Sequence, residues 1–338
     1  MKQAKWVVIV LAALAVTGCT KKETPAPAAE EKAAAEEQKP AAPPEPILPL
    51  PDSADVDMDK VLLGRSLYFD TALSGDGTVS CATCHMLEHG GAEPRKTSTG
   101  IGGQVGPINS PTVLNSSYNF VQFWDGRAKD LQEQAAGPVE NPAEMGAKWP
   151  DVVERLKKNE EYATAFTKLY QDGITKDNAT DAIAEYEKSL ITPSRFDAYL
   201  KGDDAAITDA EKKGYATFKE VGCTACHSGI LAGGSMFQKL GLVKDYFKDR
   251  GTEITEADLG RYNVTKKDQD KHFFKVPTLR NVELTSPYLH DGSRATLEET
   301  VKVMGTYQLG RDLTDAQVNS IVTFLKSLTG TLPAHAKP

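Results

Sequence analysis

Positive charge is scarce in this chain. Its 338 residues carry 39 Lys and Arg against 47 Asp and Glu, a net charge of −8. Nothing therefore draws the whole chain to nucleic acid, and no DNA- or RNA-binding role is expected. Long apolar runs are equally scarce. The amino-terminal one, Trp6 to Val16, has 11 residues, short of the roughly 20 needed to span a bilayer as a helix. Glycine at 27 and proline at 19 are too few for a collagen-like chain. No alternating strand pattern lies between hairpin signals, and no βαβ pattern is present. Cysteine is sparse and odd in number: Cys19, Cys81, Cys84, Cys223 and Cys226. That count does not suit a disulfide-stapled miniprotein. It reads as two Cys-x-x-Cys pairs and one singleton, in a chain long enough for two domains of roughly 100–200 residues.

The singleton belongs to the front end. Lys2 and Lys5, the short apolar run and small residues up to Gly18 have the layout of a secretory signal over residues 1–18. Val16-Thr17-Gly18-Cys19 resembles the lipobox of bacterial lipoproteins, in which the cysteine becomes the lipidated first residue; ordinary cleavage leaving a spare thiol is the alternative. From Thr20 to Pro46, 24 of 27 residues are Ala, Pro, Glu or Lys, a composition too polar to bury a core. Residues 19–47 are therefore expected to tether a globular body that begins near Ile47–Pro51.

The two pairs carry chemistry. Cys81-Ala82-Thr83-Cys84-His85 and Cys223-Thr224-Ala225-Cys226-His227 both read C-x-x-C-H, the attachment sequence for c-type haem. Two thiols three residues apart form thioethers with the vinyl groups on one porphyrin edge, and the next residue reaches the iron. A zinc ribbon would need the two pairs to converge on one metal, but each is followed by its own His and they lie 142 residues apart. A thioredoxin-like dithiol would want a βαβ setting. Two covalently bound haems are expected.

The rest reads as helix. Tyr162, Phe166, Leu169 and Tyr170 keep helical spacing, as do Ile183, Tyr186 and Leu190. Thr208 with Glu211, Thr296 with Glu299 and Thr314 with Gln317 have capping-box spacing. The chain also repeats itself. Pro111-Thr112-Val113-Leu114-Asn115 matches Pro277-Thr278-Leu279-Arg280-Asn281, and Asp125-Gly126 and Asp291-Gly292 follow at equal distances. One domain type is used twice, over 48–203 and 204–333. The copies differ at one place: Met304 follows Asp291 by 13 residues, where the first copy has Pro138. A Met thioether opposite His227 makes a six-coordinate haem suited to electron transfer, whereas the first haem is left with an open or weakly held sixth position. Core filling is the ordinary alternative for a Met.

From about residue 48 to 333 the sequence resembles the bacterial dihaem cytochrome c peroxidases. The resemblance is carried by Leu63-Gly64-Arg65, both C-x-x-C-H motifs, Gly106-Pro107-Ile108-Asn109-Ser110-Pro111-Thr112, Phe123-Trp124-Asp125-Gly126-Arg127, Gln134-Ala135-Ala136-Gly137-Pro138, Asn141-Pro142-Ala143-Glu144-Met145, Pro287-Tyr288-Leu289-His290-Asp291-Gly292 and Met304-Gly305-Thr306-Tyr307-Gln308-Leu309-Gly310. It implies an all-α fold of two cytochrome c-like domains, each with one covalent haem. It implies reduction of hydrogen peroxide to water at the amino-terminal haem, with His85 proximal. Electrons would come from a small c-type cytochrome or cupredoxin through the haem of His227 and Met304. Glu144 would be the distal acid and base, Gln134 would orient peroxide, and Trp124 would lie between the haems. His290 would sit by a haem propionate. Asn109, with the carbonyls of Thr285 and Pro287, would bind Ca²⁺. The setting would be the periplasmic side of a bacterial membrane, and a homodimer is a further expectation. A non-catalytic dihaem electron carrier is the alternative. The related type that oxidises residues of a partner protein has Tyr where Met304 stands.

The sequence departs from that pattern once. Family members often have, in the loop matched by Ser98–Gln104, a His that blocks the resting peroxidatic iron. The matching residue is Ile101, which cannot ligate metal, and His89 should stay on the proximal side. A resting iron that is high-spin, five-coordinate or water-bound follows.

Overall fold

Asp57 opens the first helix. Its carboxylate accepts from the backbone N–H groups of Asp59 and Lys60, and α1 runs Met58–Phe69. The first half continues with α2 (Cys81–Cys84), α3 (Leu131–Glu140), α4 (Trp149–Lys157), α5 (Glu160–Leu169), α6 (Lys176–Ser189) and α7 (Arg195–Leu200). The second half holds α8 (Asp209–Val221), α9 (Tyr246–Arg250), α10 (Tyr262–Thr265), α11 (Leu297–Val303) and α12 (Asp315–Lys326). All three capping boxes read from the sequence form, at the starts of α8, α11 and α12. The only sheet among the described residues is a ribbon of β1 (Phe237–Lys239) and β2 (Phe273–Lys275), antiparallel, with Phe237 opposite Lys275 and Gln238 opposite Phe274. The all-α reading holds. The structure is a computed structural model that describes Gly18 and residues 44–338; Cys19, most of the signal and most of the tether lie outside the described residues.

The internal repeat is visible in the backbone. Asn115 and Asn281 both take left-handed conformations, with φ of 59° and 60°. Phe123 and Leu289, twelve and ten residues upstream of Ala135 and Glu299, do the same at 67° and 70°, and each is enclosed by an equivalent bridge, Gln122 with Ala128 and Tyr288 with Arg294. Each half packs the helix before its C-x-x-C-H motif on its last long helix, α1 on α6 and α8 on α12. Both crossings need a glycine. A Cβ on Gly64 would lie 1.8 Å from the Ala182 carbonyl oxygen, and one on Gly214 would lie 2.1 Å from that of Ser320.

The two halves meet on Thr192, which follows α6. Its hydroxyl accepts from the side-chain amides of both Asn115 and Asn281 at 2.8 Å, so one buried oxygen ties together equivalent residues of the two copies. Asn115 Oδ1 accepts in return from the Thr192 N–H at 2.8 Å. The ends of the described chain cross between halves. Ile47 packs with Phe218, Ile321 and Phe324 of the second half. Ala336 packs with Val61, Tyr68 and Tyr186 of the first, where Tyr186 donates to its carbonyl at 2.5 Å.

Candidate active site

Both C-x-x-C-H motifs sit where a helix or turn ends. In the first, the Ser80 hydroxyl and the Thr83 side chain close a capping box around α2, and the Tyr68 hydroxyl donates to the His85 carbonyl at 2.6 Å. The His85 ring places Nδ1 3.3 Å from the Gly91 carbonyl. In the second, His227 Nδ1 lies 3.0 Å from the Ala232 carbonyl. A carbonyl at Nδ1 fixes the tautomer with the proton there, so each ring keeps the Nε2 lone pair for a metal. Burial lowers the pKa of both rings, which favours the neutral, ligating form.

The thiols answer the question of a redox dithiol. Burial pushes Cys81 up to about 12, Cys84 to about 11 and Cys223 to about 12. Thiols so firmly protonated are poor nucleophiles, and Cys81, Cys84, Cys223 and Cys226 form no disulfide. A covalent, thioether-forming role suits them better.

The second motif faces a cavity of about 220 Å³ whose walls include Cys223, Cys226, His227 and Met304. Met304 begins a five-residue π-turn, Met304–Gln308, that continues α11, a local widening often found at functional positions. It lines the same cavity as His227, and the lining is mostly apolar: Leu240, Phe274, Val276 and Leu279 contribute. Size, chemistry and the paired His and Met fit a haem. Pro138, its counterpart in the first copy, lies inside α3 and offers no ligand atom.

Trp124, Asn109, Thr285, Pro287 and His290 line that same cavity, so the residues that the resemblance scattered along 180 positions are brought together. Trp124 donates through Nε1 to the Asn109 carbonyl at 2.8 Å. Asn109 spends its amide N–H groups on the carbonyls of Arg95 and Lys96, at 3.2 Å each. Its Oδ1 and the carbonyls of Thr285 and Pro287 accept no hydrogen bond among the described residues. Three free oxygens on one wall have the donor chemistry that Ca²⁺ takes.

Glu144 occupies a different place. It lies in the turn after α3, half-buried, and its charge is felt by both Cys81 and Cys84. Burial raises its pKa, while Arg127 and a 2.7 Å hydrogen bond from the Asn141 side-chain amide pull the other way. Gln134 stands half-buried on α3 and makes no side-chain hydrogen bond among the described residues. Asn141 and Arg127 were quoted within sequence motifs without a role; Asn141 also accepts the Ala143 N–H and takes the Glu144 and Gly146 N–H groups on its carbonyl, shaping the turn. An Asn three residues past a helical Pro is the signal that marks it.

The loop of Ile101 is fastened to this turn. Ile101 donates its N–H to the Glu144 carbonyl at 2.9 Å, and its side chain packs against the core that holds Met145 and Trp149. A Cβ on Gly100 would come within 2.2 Å of the Ala143 carbonyl oxygen. His89 is exposed, in the short turn Leu87–His89 after His85.

The chain is similar to known proteins over most of its length. The family model described as di-haem cytochrome c peroxidase matches residues 58–205. The chain is 47% identical over 296 residues to cytochrome c551 peroxidase of Nitrosomonas europaea, covering 87% of each chain. It is 46% identical over 281 residues to the cytochrome c551 peroxidase of Pseudomonas aeruginosa, covering 82% of this chain and 80% of that one. Against cytochrome c peroxidase Ccp of Escherichia coli the identity is 52% over 288 residues, covering 85% of this chain but only 61% of that longer protein. Among solved structures, a MauG-like protein associated with microbial copper homeostasis superposes with a TM-score of 0.72 at 27% identity, over 87% of this chain and 95% of that one. The diheme peroxidase BthA of Burkholderia thailandensis shares the fold, with a TM-score of 0.67 at 21% identity over 84% and 90% of the two chains. The protein is thus of the class that carries two c-type haems on cytochrome c-like units. It belongs to the di-haem cytochrome c peroxidase family. No described helix is long and apolar enough to cross a membrane.

Proposed function

We propose that this chain reduces hydrogen peroxide to water with electrons from a small c-type cytochrome or cupredoxin. The observation that carries the reading is the asymmetry of the two copies. His227 and Met304 line one cavity, whereas the first copy has Pro138 at the matching place, followed by a half-buried Glu144 in the turn after α3. Residues 204–333 would take in electrons and residues 48–203 would carry out the chemistry.

The haems, held by Cys81, Cys84 and His85 and by Cys223, Cys226, His227 and Met304, supply peroxide binding and electron storage when bound. The protein supplies the rest. Glu144, with its pKa raised by burial and held in check by Arg127 and Asn141, takes a proton from one peroxide oxygen and returns it to the other. Gln134, with an uncommitted amide, orients the peroxide. Trp124, which lines the cavity of the second motif, would link the two sites. Asn109, Thr285 and Pro287 would hold Ca²⁺, and His290 would sit by a haem propionate. Cys19 carries a lipid that tethers the body to the periplasmic side of a membrane, and the body forms a homodimer.

Glu144→Gln keeps size and hydrogen bonding but removes the proton carrier. Steady-state peroxide turnover is expected to fall by about 10²–10⁴-fold with haem spectra unchanged. Full turnover in the variant would refute the role of Glu144, and no turnover in the wild type would favour a non-catalytic electron carrier.

A further inference from the structure

Glu144 is fixed from several sides at its backbone but from one side at its carboxyl. Its N–H donates to the Asn141 carbonyl at 3.0 Å, and its carbonyl accepts the Ile101 N–H at 2.9 Å. The next residue, Met145, donates to the Pro138 carbonyl at 3.2 Å and accepts the Gly75 N–H at 2.6 Å. The side chain has a single partner. Asn141 Nδ2 donates to Glu144 Oε1 at 2.7 Å, while Oε2 accepts no hydrogen bond among the described residues. One oxygen is held and the other is left open to a proton.

Asn141 is itself oriented by its surroundings. Its N–H donates to the Gly137 and Pro138 carbonyls at the end of α3, and its own carbonyl takes the Gly146 N–H at 2.9 Å. Its Oδ1 accepts the Ala143 N–H at 3.0 Å. With that oxygen committed, the planar amide presents N–H to the Glu144 carboxyl. A donor aimed at a carboxyl favours the ionised form, which accepts the stronger hydrogen bond. One cation reaches the same group: Arg127, from the loop before α3. Its side chain is exposed, lies over the Phe123 ring and is engaged by Asp125 at 3.1 Å, so its pull is shared and screened by solvent. From α2, Cys81 and Cys84 feel the Glu144 charge, but neither a protonated thiol nor a thioether adds charge of its own. Burial works against Arg127 and Asn141 by pushing the carboxyl up.

We propose that Asn141 is a positioning residue for peroxide reduction: its amide aims the Glu144 carboxyl and keeps it ionised, with Oε2 free to take the peroxide proton. The inference rests on the reading of Glu144 as acid and base. The proton leaves one peroxide oxygen for Oε2 and passes from there to the other, and Asn141 neither gains nor loses one.

The test follows kcat/KM for peroxide against pH in the haem-loaded full chain, beside an infrared titration of the Glu144 carboxyl band, identified by its absence in Glu144→Gln. Asn141→Asp keeps an acceptor for the Ala143 N–H but turns the donor into a second carboxylate. The acid limb of the rate profile should move up by about one pH unit, with a roughly tenfold loss below it that shrinks as pH rises. The infrared midpoint should move up with it. Asn141→Ala, which removes the amide without adding charge, should move both in the same direction by less. A band that stays in place in both variants, or a loss equal at every pH, overturns the proposal. A band that moves while the rate limb does not would instead overturn the reading of Glu144 as the base. Should Asn141→Asp fail to load two haems, Asn141→Ala is read by the same criteria.

Discussion

Glu187 lies in α6 with 5% of its surface exposed, beside Tyr68, Tyr186 and the Cys81 thiol, and its carboxylate makes no hydrogen bond among the described residues. Burial pushes its carboxyl from 4.5 up to about 8. Below about pH 4.5 the group is protonated in both folded and unfolded chains, so it costs nothing. Between about 4.5 and 8 the folded protein keeps a proton that the unfolded chain releases, so stability falls as pH rises and levels off above 8. Glu187→Gln removes that penalty. Its stability gain over wild type, read from denaturant unfolding, should be near zero at pH 4.5 and reach a few kcal/mol at pH 8; a gain independent of pH would refute the assignment. Nothing in the sequence distinguishes this Glu from Glu185 two residues before it, which pairs with Lys188 and accepts the Asp57 N–H. Helical periodicity places α6, but which carboxyl turns inward is settled by what α1 and α2 put beside it.

The elements show where a pattern in the sequence becomes a joint. Helices α5 and α6 were legible from apolar spacing, and α8, α11 and α12 from their capping boxes, because these signals are local. The matched Pro111–Asn115 and Pro277–Asn281 segments were also legible, yet their meeting on Thr192 was not. That contact joins Asn115 and Asn281 across 77 and 89 residues of chain. All three side chains are buried, with Asn115 0%, Asn281 1% and Thr192 1% exposed. Thr192→Val keeps the shape and removes the acceptor, leaving two amide N–H groups unpaired. At about 1–3 kcal/mol for each orphaned buried group, the loss should be about 2–6 kcal/mol in chemical denaturation of the haem-loaded protein. A loss within about 0.5 kcal/mol, the range of ordinary surface substitutions, would show that the joint carries no load.

At the scale of the whole molecule, the inequality of the copies is the functional feature. Ile101 stands where a blocking His is often found, and its N–H is committed to the Glu144 carbonyl while its side chain is committed to the core. The loop therefore has neither a ligand nor slack to deliver one. Diferric protein prepared without pre-reduction should show a high-spin signal from the amino-terminal haem in EPR and be active at once; a purely low-spin pair of haems would refute this. The sequence by itself determined the covalent chemistry, because C-x-x-C-H is a contiguous motif whose spacing is dictated by the porphyrin edge. It also determined the helical class, the repeat and the difference between Met304 and Pro138, all of which depend on neighbours along the chain. Tertiary structure alone decided that Met304 and His227 line one cavity and that Asn109, Trp124, Thr285 and Pro287 line it with them. Those are relations between distant segments, set by how α8, α11 and the β1–β2 ribbon pack around one cavity, and no local rule of spacing contains them.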